Sequence, residues 1–255
     1  MRSPPGPLSR ATAEHDFETV KDLLESGGQD GIPQNIHPDD SVGAMRIAVE
    51  ENELMIVDLF LANGMKPTGW DFISAVKQRS YSMLELLLLG GYDVNACVRD
   101  DWPPPLADAL FDAELVRWLI EHGADPNARC RYDITPLSVA AGSASREVIE
   151  LLFELGASVQ YGQPLHCAVR ANREDDIVEL LLEKGASPNA VMFQDHPVSF
   201  CQFECLGLGT PLHEAARQKN DRLMQLLLKH GANPQIRNTF GEFAQVRRLP
   251  FDTAL

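Results

Sequence analysis

Two cysteines and a histidine in one stretch have the clearest capacity for chemistry. Cys201 and Cys205 stand four residues apart, and His196 precedes the first of them by five. Thiolate and imidazole groups bind zinc, and cysteines two to four residues apart have the usual spacing of structural zinc sites. Such a site needs four ligands and this stretch supplies three, so the sequence predicts no metal site here.

Groups that could support catalysis are scattered along the chain. Neighbouring aspartates fall in segments that have the composition of loops, where solvated turn residues are expected: Asp39-Asp40, Asp100-Asp101 and Asp175-Asp176. The sequence contains no nucleophile elbow, P-loop or HExxH motif. Gly207 and Gly209 begin like a dinucleotide-binding loop but lack its third glycine and a preceding strand. We therefore expect a protein that is not an enzyme and holds no cofactor.

The charge balance restricts the class of partner. Asp and Glu number 37 against 22 Lys and Arg, a formal net charge of −15. Such a surface repels phosphate, which argues against direct nucleic-acid binding and against binding to anionic membranes. It favours a protein partner with a basic segment. The 44% of apolar residues is enough to build a buried core.

Cysteine usage and apolar runs indicate the compartment. The cysteines are odd in number and show no paired framework: Cys97, Cys130, Cys167, Cys201 and Cys205. The first residues lack the apolar region of a secretory signal, and no apolar run approaches the roughly 20 residues of a membrane span. We expect a soluble, monomeric protein of a reducing compartment, either cytoplasm or nucleus.

A pattern that recurs along the chain must position all of these groups. Seven times, apolar residues stand eight, five and four positions before a glycine, which places them on one face of a helix. Glycine adopts the left-handed conformation that ends a helix without steric cost. The closing glycines are Gly28, Gly64, Gly91, Gly123, Gly156, Gly185 and Gly231.

A shorter helix precedes each of these segments. Thr135-Pro136 and Thr210-Pro211 open two of them, with threonine as the N-cap and proline at the first helical position. Alanines follow and allow close approach of neighbouring helices. Each unit is thus a predicted helix–turn–helix with one apolar side, which becomes buried when units stack.

These units resemble the ankyrin repeat. The stretch from Thr210-Pro211-Leu212-His213 to Gly231-Ala232-Asn233-Pro234 is similar to the family pattern, as are the closing turns at 123–127 and 185–189. The resemblance implies an all-α solenoid of about six full repeats with short β-hairpin fingers and terminal caps. It also implies protein binding on a concave face of fingers and inner helices, and structural hydrogen bonds from His166 and His213.

The predicted organisation is a disordered tail at 1–7, an ankyrin repeat domain at 8–244 and a C-terminal tail at 245–255. The insertion at 190–209 is rich in phenylalanine and has no helical period, so we expect a long loop on the finger side. One capping helix is expected within 241–248. The last residues, Thr253-Ala254-Leu255, resemble a ligand of PDZ-type domains.

Finger tips are the expected site of partner binding, because aromatic residues and arginine contribute most of the energy of interfaces. The predicted partner-binding residues are Trp102, Arg131, Tyr132 and Tyr161. A full-length finger surrounds Arg131 and Tyr132, so we expect their side chains to be free.

Two further tryptophans have other predicted roles. Trp70, at a shortened finger, either binds a partner or fills the gap that the missing finger leaves, and Trp118 is expected in the core. Two other functions remain open: a transcriptional co-regulator acting through a transcription factor, and an accessory subunit of an enzyme complex.

Overall fold

The computed structural model describes residues 6–26 and 36–246 and divides the chain into two compact units, Met1–Val98 and Arg99–Leu255. Every regular element in the described ranges is helical, which confirms the all-α class. The first unit holds α1 (Pro7–Ala13), α2 (Phe17–Glu25), α3 (Pro38–Glu50), α4 (Leu54–Ala62), α5 (Gly69–Gln78) and α6 (Tyr81–Leu89). The second holds α7 (Ala113–Glu121), α8 (Pro136–Ser143), α9 (Arg146–Glu154), α10 (Pro164–Arg170), α11 (Asp175–Glu183), α12 (Pro197–Phe203), α13 (Pro211–Arg217) and α14 (Asp221–Lys229).

The second helix of each pair ends as the glycine pattern predicts. The glycines that follow α4, α6, α7, α9, α11 and α14 have φ between +81° and +95°. Gly28 lies outside the described residues. At these positions a side chain would add left-handed strain, so glycine is the residue that ends each helix at low cost.

Stacking of the first helices relies on small residues. Ala140, Ala168 and Ala215, in α8, α10 and α13, are fully buried, and α10 contacts both α8 and α13. The predicted apolar face of the second helices is buried as well, as in α14 with Leu223 and Leu227. The position five residues before the glycine is only half-buried in α2, α4, α6 and α7, where it is Leu23, Leu59, Leu86 and Trp118. Trp118 stacks on His122, with ring centroids 3.8 Å apart.

In the first unit, the carboxylate of Asp40 connects α1 to α3. Its two oxygens accept hydrogen bonds from the backbone N–H groups of Leu8 and Ser9, both at 3.0 Å. These donors belong to the first turn of a helix, where no intrahelical partner exists. The predicted tail at 1–7 therefore overlaps this element at Pro7, and residues 1–5 lie outside the described part of the chain.

In the second unit, consecutive prolines replace the usual first helix of one repeat. Pro105–Asp108 forms a single 3-10 turn beside α7 and α8. Pro103, Pro104 and Pro105 prevent a standard helix start here, because the residue before a proline is disfavoured in the helical region.

The insertion at 190–209 is not the irregular loop expected from its sequence. It contains α12 and a 3-10 turn at Glu204–Leu206, and its ends are joined by a 3.0 Å hydrogen bond from the N–H of Met192 to the carbonyl of Gly209. A local N-cap produces the helix without any helical period: His196 Nδ1 accepts from the N–H of Ser199, and Pro197 occupies the first helical position.

The expected β-hairpin fingers are tight turns, and no strand occurs between residues 36 and 246. Two isolated bridges occur in this range, Arg99 to Trp102 and Arg237 to Phe243. The capping helix expected within 241–248 is absent from the part of it that is described, 241–246. Residues 247–255, including Thr253-Ala254-Leu255, lie outside the described ranges.

Candidate partner-binding surface

A buried aspartate organises the finger turn before α8. Asp133 has a left-handed φ of 56°, and its carboxylate accepts from Arg129 Nη1 at 3.1 Å and from Gln163 Nε2 at 3.0 Å. A buried carboxylate is costly unless it is hydrogen-bonded, and here both oxygens are satisfied. The two donors are thereby fixed on the same side of the molecule, although they come from successive repeats.

The shortened finger of the next repeat presents Tyr161. An added Cβ at Gly162 would lie 2.2 Å from Ser138 Oγ and 2.7 Å from Thr135 Oγ1, so this turn rests directly on the start of α8. Tyr161 next to it is 42% exposed, and the guanidinium of Arg129 lies 5.4 Å from its ring centroid. That distance is within the range of a cation–π contact, so the ring is both exposed and oriented.

A turn of the insertion lies across a groove from the turn that carries Tyr161. Gln194 Oε1 accepts from the N–H of Val191 at 2.8 Å, and Gln194 Nε2 donates to Asp195 Oδ2 at 3.2 Å. Phe193 between them is 6% exposed and lies against Phe203, with ring centroids 5.6 Å apart. The buried phenylalanine therefore anchors a turn whose polar residues face outward.

The groove has a volume of about 230 Å³ and His166 among its lining residues, with the turns at 159–163 and 190–195 on its sides. Small-molecule sites usually have about 300–1,000 Å³, so this groove matches one or two side chains of a partner better than a metabolite. His166 is buried, its Nε2 lies 3.2 Å from the carbonyl of Gly209, and burial lowers its pKa to about 4. It is thus a neutral, structural part of the groove.

The structural role predicted for the two Pro-Leu-His histidines is confirmed. His166 bonds to backbone as described, and His213 Nδ1 lies 2.9 Å from the hydroxyl of Thr210, the threonine of its own repeat. His213 Nε2 also lies 3.2 Å from the carbonyl of Glu242. Both rings connect one repeat to the segment that follows it.

None of the four predicted partner-binding residues lines the groove, although Tyr161 stands between two residues that do, Gln160 and Gly162. Trp102 is half-buried, and its indole N–H donates to Asp108 Oδ2 at 3.2 Å. Arg131 is exposed and forms an ion pair with Asp100, with Nη1 and Oδ2 3.1 Å apart.

Tyr132 differs most from its expectation. Its ring is half-buried and meets Phe203 of α12 edge-on, with centroids 5.3 Å apart. The expectation that both side chains are free is therefore wrong for Tyr132, whereas Arg131 stays exposed and forms only a surface ion pair. The cause is the insertion, whose helix could not be placed against this finger from the sequence.

The exposure of Trp70, in the first unit, decides between its two predicted roles. It lies in the first turn of α5 and is 50% exposed, so it does not fill the gap of the missing finger. The equivalent leucines of other repeats, Leu137, Leu165 and Leu212, are buried.

The insertion cysteines do not form part of a metal cluster. Cys201 and Cys205 are exposed, and His196 caps α12 through Ser199. Among residues 6–26 and 36–246 there is no group of three or more His, Cys, Asp or Glu side chains arranged to hold a metal ion. In the same ranges no helix is both long enough and apolar enough to cross a membrane.

Sequence reasoning missed the groove residues themselves, Arg129, Gln163, Gln194 and Asp195. The only available signal was the spacing of Arg129 and Asp133, four residues apart across a finger tip. The partners that bring them together come from a neighbouring repeat and from the insertion.

Comparison with known proteins agrees with this architecture. A sequence model of three consecutive ankyrin repeats matches residues 72–162 and 106–192, and a single-repeat model matches residues 209–239, so more than half of the chain is covered. The chain belongs to the ankyrin repeat family. Repeats of this family generally mediate protein–protein interaction.

Relatives share the repeats within longer proteins. The chain is 30% identical over 129 residues to ankyrin repeat, SAM and basic leucine zipper domain-containing protein 1 of Dasypus novemcinctus, covering 48% of this chain and 24% of the relative. It is 35% identical over 165 residues to the transient receptor potential channel pyrexia of Drosophila melanogaster, covering 62% and 16%. It is 32% identical over 125 residues to ankyrin repeat and SOCS box protein 11 of Pongo abelii, covering 46% and 34%. The matched part thus spans about a third or less of each relative.

Proposed function

We propose that this chain is a non-catalytic binding module whose groove in the second unit accepts a basic side chain from a protein partner. The observation that carries the proposal is the fixed set of Asp133, Arg129 and Gln163 beneath an exposed Tyr161. Interfaces derive most of their energy from a few such oriented aromatic and arginine residues at a desolvated centre.

The charge of the groove favours a lysine or arginine. The ionised side chains that line it are Arg129, Asp133 and Asp195, which leaves one carboxylate in excess. Because both oxygens of Asp133 already accept, one of them from a cation, the exposed Asp195, which accepts from the neutral amide of Gln194, is the carboxylate available to an incoming cation. The ring of Tyr161, which adjoins the lining residues Gln160 and Gly162, would cover the aliphatic part of that side chain, and the amide of Gln160 would bond the partner's backbone.

The formal charge of −15 supports the same class of partner. Opposite charges accelerate association and select against acidic competitors. We therefore expect affinity for the partner to fall as ionic strength rises. The co-regulator and the enzyme accessory subunit are special cases, distinguished by whether the partner is a transcription factor or an enzyme.

The test begins with affinity purification of the full chain and identification of bound proteins by mass spectrometry. Binding of a recovered partner is then measured for Tyr161→Ala, Asp195→Asn and the control Trp70→Ala, an exposed aromatic of the first unit. We expect Tyr161→Ala to weaken binding at least tenfold and the control to change it less than twofold. Loss with Trp70→Ala but not with Tyr161→Ala would move the site to the first unit.

A further inference from the structure

The second helices α4 and α6 carry apolar residues at several of the positions where the other second helices carry charges. The helices α4, α6, α7, α9, α11 and α14 each have nine residues, and their second, fifth and ninth positions fall within about 60° on the side away from the buried third, fourth and seventh positions. In α9 these positions are Glu147, Glu150 and Glu154, and in α11 they are Asp176, Glu179 and Glu183. The solvent side of a repeat helix in this chain is thus normally charged.

In α4 and α6 of the first unit this rule fails. The second position of α4 is Met55, which is 70% exposed, and the ninth position of α6 is Leu89, which is 85% exposed. The second position of α6 is the exposed, uncharged Ser82. The ninth position of α4 is Ala62, also exposed. Each of these helices keeps a single charged side chain, Asp58 in α4 and Glu85 in α6.

The sixth position extends the apolar surface. Leu59 and Leu86 are half-buried, whereas the equivalent leucines of α9 and α11, Leu151 and Leu180, are buried. On a helical wheel the sixth position lies about 40° from the second, so the half-exposed leucines adjoin the exposed ones.

The two helices lie side by side. They are in contact, and an added Cβ at Gly90, just after α6, would lie 2.6 Å from Leu61 Cδ2 of α4. The exposed and half-buried apolar residues of the two helices therefore belong to one surface. We name it the α4–α6 face: Met55, Leu59, Ala62, Leu86 and Leu89. A contiguous apolar surface of this kind typically marks an interaction site.

Two unpaired carboxylates border the α4–α6 face. Asp58 and Glu85 are exposed, and neither forms an ion pair within the described residues. Each lies about 60° from the second position of its helix, so each helix has one acidic edge beside its exposed apolar residues. Two copies of this face would bring their carboxylates together, which opposes self-association.

From this geometry we infer that the α4–α6 face is a second docking surface, which binds an amphipathic helix with leucine-type residues on one side and lysine or arginine along its edge. Apolar anchors at i, i+3, i+4 and i+7 of such a helix match a flat apolar face, and its basic edge pairs with Asp58 and Glu85. This surface is distinct from the groove proposed above, and neither proposal depends on the other.

The probe for this surface is a fluorescent synthetic peptide of 18 residues with leucines at helical spacing and lysines on the remaining positions. A scrambled peptide of the same composition and a peptide with glutamate in place of lysine serve as comparisons. Anisotropy with the full chain measures binding. We expect the amphipathic lysine peptide to bind at least tenfold more tightly than either comparison peptide, with protection from hydrogen exchange at 54–62 and 81–89.

Three double variants test whether the peptide binds the α4–α6 face or is attracted only by the negative charge of the whole protein. Met55→Glu with Leu89→Glu gives α4 and α6 the residue type that α9 carries at these positions. This variant should bind the lysine peptide at least tenfold more weakly, with an unchanged melting temperature. Asp58→Asn with Glu85→Gln should weaken it severalfold and reduce its salt dependence. The matched control, Glu147→Gln with Glu150→Gln, removes two carboxylates from α9 and should leave binding unchanged.

Several results would overturn the inference. Binding no tighter than that of the scrambled peptide would do so, as would equal weakening by the α9 control. A dimer in sedimentation equilibrium that the Met55→Glu, Leu89→Glu variant dissociates would assign the face to a second copy. If the Met55→Glu, Leu89→Glu variant has a lowered melting temperature, Met55→Gln with Leu89→Gln replaces it. A lowered melting temperature of that variant too would show that these side chains are packed in the fold, which would also overturn the inference.

Discussion

The ring of Tyr132 meets that of Phe203 edge-on, with centroids 5.3 Å apart and an interplanar angle of 67°. One residue belongs to a finger turn and the other to the last turn of α12 in the insertion. Edge-to-face pairs at this separation contribute about 0.5–1.5 kcal/mol beyond area burial. The contact joins two segments that the repeat pattern alone would leave independent.

A double-mutant cycle on this pair should show coupling. We expect Tyr132→Leu and Phe203→Leu to be less than additive in chemical denaturation, with an interaction free energy of about 0.5–1.5 kcal/mol. Arg131→Ala, in the same turn, is the control and should change stability by less than about 0.5 kcal/mol, since its ion pair with Asp100 is exposed. A coupling indistinguishable from zero would show that the two rings do not stabilise each other.

The insertion should be structural. Phe193 is 6% exposed, so we expect Phe193→Ala to lower the free energy of unfolding by about 3 kcal/mol. The half-exposed Val198→Ala, in the same insertion, should cost less than about 0.5 kcal/mol. Replacing 192–206 with a Gly/Ser link should also lower the melting temperature, contrary to the expectation for a loop. An unchanged melt of the replaced protein would restore the loop interpretation.

Two leucines of second helices, one buried and one exposed, should differ in how much they contribute to stability. Leu226 of α14 is 7% exposed and lies on the predicted apolar face, whereas Leu89 of α6 points to solvent. Leu226→Ala should cost about 2–5 kcal/mol, the usual range for a buried leucine. Leu89→Ala should cost less than about 0.5 kcal/mol. Equal losses in the two variants would mean that the α4–α6 face is not free.

The repeats were predictable because each rule acts within a few residues. Gly231 ends α14 for a local steric reason, and Leu223, Leu226 and Leu227 share a helical face by spacing alone. The groove was not predictable, because Asp133 and Gln163 lie in successive repeats that meet only after folding. The α4–α6 face was missed for another reason: the pattern records which positions are apolar and buried, and Leu89 is apolar at a position that is exposed.

His166 should make stability depend on pH in a defined direction. Burial lowers its pKa from the ordinary 6.5 to about 4, with the nearby Arg170 acting in the same direction. Above pH 6.5 the imidazole is neutral in both the folded and the unfolded state. Between pH 6.5 and about 4 the unfolded chain binds a proton that the folded chain does not, so the free energy of unfolding falls as the pH is lowered. Below about pH 4 both states are protonated and this loss levels off.

The measurement is urea denaturation at pH 7 and at pH 4.5 for the native sequence and for His166→Gln, whose amide can replace the bond to the carbonyl of Gly209. One pKa unit corresponds to about 1.4 kcal/mol, so the native protein should lose up to about 3 kcal/mol more than the variant over this interval. Carboxylates titrate alike in both proteins, so the difference isolates the imidazole. Equal losses would mean that His166 is protonated in the folded state and therefore open to solvent.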